Sequence, residues 1–443
     1  MTAAATSIAV PGDAVPVSAP ARTILLLQGP PSPFWRELAD AFQAAGHQVL
    51  HINLCAADRL YWALRSAVDF TGSFAKWPGF IERFVVERKV TDILFYSDQF
   101  PYHRVAAEVA ARHGIAAIAI EFGYLRPGWL TLERDAMGAR SHFPSDPDSI
   151  RAIARSVPKP DLERKYVHRF QVEATNEVVF HLTNVFLFYL YPLYRSDRYY
   201  PPLIEYLSSF LRSVRGRRRR GRFDQVLGAA AAGEWPYDLV ALQLQSDYQM
   251  RRNSPYTHQR EMLAAIFASF AARAPKDRHI IVKVHPMDVG LIDWVREVET
   301  VAGRFGIPER VHAVDGGDLA ALVAGAHGVI VTNSTVGLHA IRAGRPTKVM
   351  GFAIFDVAGL THQGGIDTFW TEAEAVDRGL ADDFVRALAG TIQIKGSFYE
   401  ASGRATARAE IVARVAAGRV NEPGGFVDPP PRLAEARRLG LPD

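Results

Sequence analysis

Four short stretches carry side chains whose types and spacing could do chemistry. "IIVKVHPMDVG" ends an apolar run by placing His285 and Pro286 at its carboxyl edge. An imidazole there could donate a hydrogen bond to a phosphate, or a proton to a departing one. Pro286 fixes the turn and removes a competing donor. Lys283, two residues earlier, falls on the same strand face and could add positive charge, or merely run its stem along the surface. "VIVTNSTVGLHAIRAGRPT" delivers Asn333, Ser334 and Thr335 to the first turn of a helix, where hydroxyls cap unpaired N–H groups and the helix end can seat a phosphate. Capping alone would explain that pattern, but a second polar strand end at His285 brings the ligand reading level with it. "LQLQSDYQM" closes a strand with Gln243, Gln245, Ser246 and Asp247, more polar than a strand buried on both faces tolerates. Its carboxyl end is expected to face a cleft, with Asp247 as the candidate carboxylate. "IAIEFGYLRPGWLTLE" offers Glu121 at a strand end, Gly123 for a close turn, and Tyr124, Arg126 and Trp129 as groups suited to a sugar acid. One carboxylate from each side of a cleft suits glycosyl chemistry; an exposed salt-bridging residue is the plainer alternative for each.

These residues need a scaffold, and the pattern supplies one twice. "RTILLLQGPPSPFWRELADAFQAAGHQVLHINL", then "VTDILFYS", a helix near Ala106–His113 and "IAAIAIEFG" alternate strand and helix, the signature of a doubly wound α/β domain. Ligands bind such sheets at the strands' carboxyl ends, here Gln28 with Gly29, Asn53, Ser97–Asp98 and Glu121. After Trp235 the alternation resumes through "YDLVALQLQ", "HIIVKVH", "VHAVD", "GVIVTN" and "PTKVMG", predicting a second domain and a site in the cleft between the two. The expected division is a leader over 1–21, a Rossmann-like acceptor domain with a helical, aromatic insertion over 22–210, a basic linker over 211–234, a Rossmann-like donor domain over 235–400, and a helix and tail over 401–443.

Composition sets outer bounds. At 443 residues the chain exceeds one ordinary core, and 48% hydrophobic with 22% charged residues is normal for a globular protein. A net charge of +4 and a pI near 9.1 favour anionic partners, and nothing points to nucleic acid. Cys55 is the only cysteine, which excludes an intramolecular disulfide and fits a reducing, cytoplasmic compartment. The leader lacks the basic and apolar regions of a signal peptide. "VVFHLTNVFLFYLYPLY" is too interrupted to span a membrane and reads as a buried core helix, with a membrane-surface segment as the alternative. "LRSVRGRRRRGRFDQ", with Arg212, Arg215, Arg217–Arg220 and Arg222, reads as a solvated linker, with a basic patch facing anionic lipid headgroups or another polyanion as the sharper alternative. There is no P-loop, GxGxxG after a strand, GxSxG elbow or HExxH. Asp146 to Asp148 formally match a metal-binding Asp-x-Asp, but lie in a Ser/Pro loop before a helix and read as turn and cap, so no metal or other cofactor is expected.

Taken together, "LLLQGPPSPFWRELADAFQAAGHQVLHINLCAADRLYW", "EFGYLRPGWLTLE", "LQLQSD", "KVHPMD" and "TNSTVGLHAIRAGRPTKVMG" resemble, in order from about Thr23 to about Trp370, the bacterial capsule polysaccharide proteins of the KpsS/LipB type. The resemblance implies a GT-B arrangement of two Rossmann-like domains and a retaining β-Kdo glycosyltransferase. The implied donor is CMP-Kdo. The implied acceptor is lyso-phosphatidylglycerol on the inner face of the inner membrane, on which a Kdo linker for capsule begins. It also implies CMP contacts for His285–Pro286 and for Ser334 and Thr335, Asp247 as nucleophile and Glu121 as acid/base. Lys283 and Asn333 join the expected donor site; Gln28, Gly29, Tyr124, Arg126 and Gln245 are the expected substrate contacts. "TNST" carries Ser-Thr where Ser-Ser is a common form, and Leu211–Arg222 matches no part of the family pattern. Two other readings stand beside this one: a transferase using another CMP-sugar, and a non-catalytic export or scaffold component.

Overall fold

The computed structural model describes residues 20–441, position 168 aside, so most of the expected leader lies outside the described residues. Among the described residues twelve strands form two sheets. The first contains β1 (Thr23–Leu26), β2 (Gln48–Asn53), β3 (Val68–Asp69), β4 (Asp92–Tyr96), β5 (Ala116–Phe122), β6 (Trp129–Arg134) and β12 (Gln393–Lys395), in the order β12-β6-β5-β4-β1-β2-β3. The second contains β7 (Tyr237–Ala241), β8 (His279–Lys283), β9 (Val311–Val314), β10 (Gly328–Val331) and β11 (Thr347–Val349), in the order β11-β10-β7-β8-β9.

Continuous apolar runs form these strands because both sheet faces are covered. Ile24 and Leu26 pack with Phe34, Leu38 and Phe42 on one face, while Leu25 and Leu27 pack with Ile93, Phe95 and Trp77 on the other. Successive residues of one strand thus enter two different cores, as the period of two requires. In each sheet the order reverses beside the first strand: β1 lies between β2 and β4, and β7 between β8 and β10, all parallel. Those reversals open the crevices in which doubly wound sheets hold ligands. The first sheet is not wholly parallel, however. β6 runs antiparallel to β5, and β12 antiparallel to β6, because a hairpin too short for a crossover helix joins β5 to β6.

The structure corrects several expectations. The helix Pro147–Ser156 packs on Arg378–Thr391, and Phe143, Ile150, Ile153 and Val157 belong to the core of the second sheet. Conversely, the chain rejoins the first sheet at Gln393 rather than leaving the second domain at 400, and Ile394, Phe398, Ile411 and Val415 enter the first core. An amphipathic stripe fixes that a helix will be covered, but not by which domain. The basic segment is no linker: it lies within one helix, Pro202–Ala232. The tail is tied down as well, with Arg432 buried and donating to the carbonyls of Phe143 (2.7 Å), Pro144 (2.9 Å) and Ile354 (2.8 Å). The helix Phe170–Phe186 has no buried residue, which overturns its reading as a core helix.

Glu133 on β6 is buried, with Oε1 unpartnered and Oε2 accepting from Ser141 Oγ at 2.5 Å. Burial above all, with Asp98 and Glu121 nearby, pushes its carboxyl up to about 8 against the Ser141 hydrogen bond and Arg432. The folded chain therefore keeps a proton that the unfolded chain releases above its ordinary value of 4.5. Stability that is full below that value is lost as pH rises through about 8. Thermal melts should show Tm falling from pH 5 to pH 8, and Glu133→Gln should flatten that fall; an unchanged slope in the variant would reject the assignment.

Candidate functional site

Three carboxyl-end segments of the second sheet and two segments of the first converge on one cleft. Asp247 follows β7 and caps the short helix Tyr248–Arg252, its Oδ1 accepting from Gln249 N at 2.9 Å. That helix is pinned to the first domain: Phe100 packs on Tyr248 with ring centroids 5.5 Å apart, and Asn253 Oδ1 accepts from Ala139 N at 2.9 Å. Glu121 is the penultimate residue of β5, paired with Thr131 where the hairpin to β6 begins. Arg126 stands in that hairpin, its Nε donating to Gly123 O at 3.0 Å and its guanidinium 5.0 Å over the Phe122 ring.

Electrostatics tie these groups together. Burial is the main force raising Glu121, to about 8; Asp98 and Asp247 raise it further, while Arg126 opposes them. Among the described residues no hydrogen bond reaches the Glu121 carboxylate. Burial also raises Asp247, but there the N–H of Gln249, the charges of Arg126 and Arg251, and Gln243 all favour the anion. One carboxyl is thus left without donors to its anion and the other is supplied with them, the environment that separates an acid/base from a nucleophile.

His285 follows β8, and its Nδ1 accepts from Met287 N at 3.1 Å, so the neutral ring carries its proton on Nε2. Burial, with Arg212, Arg126 and Lys283 adding positive charge, pulls its pKa down to about 4. At neutral pH it is a hydrogen-bond donor rather than a proton donor. Ser334 Oγ accepts from Val336 N at 3.3 Å, and Thr335 sits at the start of the helix Val336–Arg342 with no side-chain capping bond.

Other expected contacts also make structural hydrogen bonds or packing contacts within the protein. Gln245 donates to Thr257 O and accepts from Gln259 N, both at 3.0 Å, so both ends of its amide hold the entry to the helix Gln259–Arg273. Asn333 Nδ2 donates to Gln249 O (2.7 Å) and Asn253 O (2.6 Å), which braces the Asp247 helix, while its Oδ1 is buried without a hydrogen-bond partner. Lys283 is buried and donates to Gly316 O, because it points toward the loop after β9. Tyr124 is wedged between the domains, its N–H donating to Gln393 Oε1 at 2.8 Å. Gln28 is buried and donates to Asp58 Oδ1 at 3.0 Å, while Gly29 leaves room for Trp35, whose ring lies 2.6 Å from where a Cβ would stand. Gln28 and Gly29 also line a cavity of about 700 Å³ that reaches Ser246 and Tyr248 beside Asp247. Asp146 caps the helix Pro147–Ser156, accepting from Ser149 N at 2.8 Å.

The residue that sequence reasoning missed is Arg212. Its guanidinium donates to the carbonyls of His285 (3.0 Å), Pro286 (2.9 Å) and Asp288, and pairs with Asp315 at 2.6 Å. Gly290 (φ +73°) allows that approach, since a Cβ there would lie 2.4 Å from Arg212 Cβ. Arg212, Arg215, Arg219 and Arg222 repeat at three- and four-residue intervals and meet Asp315, Gly290 O, Asp293 and Glu299 along one helix face. That spacing was visible in the sequence; the carboxylates it would meet were not. Arg212→Ala should lower stability by about 2–3 kcal/mol in urea unfolding, with Arg212→Lys recovering only part, because an ammonium cannot span the fork's contacts.

Two Rossmann-like α/β domains, with a carboxylate from each at the interdomain cleft beside the strands' carboxyl ends, define a protein of the glycosyltransferase-like GT-B architecture. The chain belongs to the capsule polysaccharide biosynthesis protein family, which matches residues 91–399. It is 28% identical to the capsule polysaccharide export protein KpsS of Escherichia coli, across 88% of this chain and 100% of that protein. It is 29% identical to the capsule polysaccharide modification protein LipB of Neisseria meningitidis serogroup B, across 86% of this chain and 92% of that protein. The solved structure of Thermosulfurimonas dismutans KpsC, a beta Kdo 2,7 transferase, covers 88% of this chain and 99% of its own, at 14% identity and a TM-score of 0.43.

Proposed function

We propose that the protein is a retaining glycosyltransferase that moves β-Kdo from CMP-Kdo to a lysophospholipid, lyso-phosphatidylglycerol, and so starts the lipid anchor of a capsule polysaccharide. The observation that carries this reading is the pairing of Glu121 and Asp247 from different domains at one cleft, with Arg126 acting on both and on His285. Asp247 would attack the anomeric carbon of Kdo as the bond to the phosphate oxygen breaks and CMP leaves with the electron pair. Nε2–H of His285 would donate a hydrogen bond to that phosphate, and Ser334 and Thr335 would line the nucleotide side. The acceptor hydroxyl oxygen would then attack the same carbon, Glu121 taking its proton and Asp247 departing, which gives net retention. Arg126 would meet the sugar carboxylate. No step calls on a metal, and the seat of action would be the inner face of the inner membrane, held peripherally.

The name of the Escherichia coli relative favours a second reading, an export component that binds donor or lipid without turnover. Incubating the protein with CMP-Kdo and lyso-phosphatidylglycerol separates the two. Release of CMP with a glycolipid product is expected, whereas binding without either product would leave the export reading. A panel including a CMP-sialic acid checks the donor.

A further inference from the structure

Among the described residues no helix is long and apolar enough to cross a membrane, yet the strongly exposed aromatic side chains all fall between positions 170 and 210, although Leu64 and Val86 are exposed elsewhere. Phe186 (69% exposed) ends one helix, Phe188 and Tyr189 follow it, and Leu207 (64%), Phe210 (66%) and Leu211 stand out from the helix Pro202–Ala232. The segments that carry both groups also line one cavity of about 700 Å³: Val185 and Phe188 beside the first group, and Tyr200, Pro201 and Glu205 just ahead of the second on the long helix. At its inner end that cavity reaches Gln28, Ser246 and Tyr248.

The long helix has two working faces. Arg212, Arg215, Arg219 and Arg222 are spent on the second domain. Arg217 lies two turns beyond Phe210, and Arg218 two turns beyond Leu211, so both continue the apolar stripe at about 10 Å along the axis. Arg217, Arg218 and Arg220 are exposed, with no ion pair among the described residues. An apolar aromatic patch followed by arginines on one helix face suits an acyl–headgroup boundary, with the rings in the boundary and the cations against anionic headgroups. We propose that this face, from Phe186 to Leu211 with Arg217, Arg218 and Arg220 beside it, seats on an anionic bilayer, and that the cavity opens onto that bilayer so a lipid reaches the cleft without crossing water. The second clause rests on the lipid acceptor proposed above; the first does not.

The full-length protein, mixed with vesicles of phosphatidylglycerol and phosphatidylcholine or of phosphatidylcholine alone, tests the surface by cosedimentation. Binding is expected on the anionic vesicles and should weaken with salt. Replacing Arg217, Arg218 and Arg220 by Gln should weaken it by roughly fivefold per charge at low salt, on the order of 100-fold in all. Phe186→Ser with Leu207→Ser and Phe210→Ser should weaken it about tenfold or more. Phe186→Trp should show blue-shifted emission quenched by brominated lipid, a reading that does not depend on the polar variants folding. Wild-type affinity in both multiple variants, or an unquenched tryptophan, overturns the proposal. So does a dimer in sedimentation that the Ser variant disperses without any vesicle binding, which would assign the face to a second copy of the chain. Transfer is assayed in parallel on a soluble short-chain lysophospholipid. If vesicle binding behaves as expected and no Kdo is transferred, the transferase reading fails and the bilayer surface stands. If transfer occurs and the variants bind vesicles as wild type does, the reverse holds.

Discussion

Asp247→Asn is expected to abolish Kdo transfer, by about three orders of magnitude or more, while CMP binding by calorimetry stays within roughly twofold. Asparagine is the informative substitution because Asp247 has a second task. Its side chain caps the helix Tyr248–Arg252 through Gln249 N, and that helix carries Tyr248 against Phe100 of the other domain. The Asn oxygen can keep that bond, so the cap survives while the nucleophile goes. Asp247→Ala should lose the same activity and in addition about 1 kcal/mol of stability. Mass spectrometry of the wild-type protein with CMP-Kdo alone should reveal a Kdo adduct that peptide mapping places on Asp247. Full activity in Asp247→Asn would remove this residue from the mechanism.

Glu121→Gln should separate the two halves of the reaction. Cleavage of CMP-Kdo needs no proton from Glu121, so the adduct should still form, and should accumulate. Transfer to the acceptor should fall about 10²- to 10⁴-fold, the usual worth of a positioned base. The pH profile gives the sign. Burial, with Asp98 and Asp247 adding to it, holds Glu121 protonated up to about 8, and a protonated carboxyl cannot accept the acceptor's proton. In the wild type, transfer from the intermediate should therefore rise about tenfold per pH unit and level off above about pH 8, while Glu121→Gln should be flat. His285, already neutral above about 4, should add no limb between pH 5 and pH 8. A wild-type profile without the rise would displace Glu121 as the base.

Much of this site was legible in the order of residues. Apolar runs with breaks mark parallel strands, and in parallel sheets the residues at or just beyond the end of a run face a crevice; that rule points to Glu121, Asp247, His285 and Ser334 as candidates. Local pattern also foresaw Asp146 as a cap and Gly123 as a close turn, its N–H bonded to Trp129 O at 2.9 Å. What pattern could not provide is the partner of a polar side chain. Gln245 and Asn333 look like ligand groups in the sequence, yet Gln245 bonds Thr257 and Gln259 with both ends of its amide, and Asn333 Nδ2 bonds Gln249 and Asn253 while its Oδ1 stays buried without a partner. Lys283 shares a strand face with His285 but is drawn to the loop after β9.

The sequence by itself determined the two α/β domains, the strand ends that carry chemistry, and the heptad-like arginine spacing, since each follows from a period of 2 or 3.6 and from what a buried strand tolerates. Tertiary structure alone decided that Arg212 braces the His285–Pro286 turn, that the chain trades Pro147–Ser156 and Gln393–Lys395 between domains, and that Phe170–Phe186 keeps no fully buried residue. Those outcomes depend on which surfaces, far apart along the chain, meet in space. A charge or an apolar stripe is local, but its partner is not.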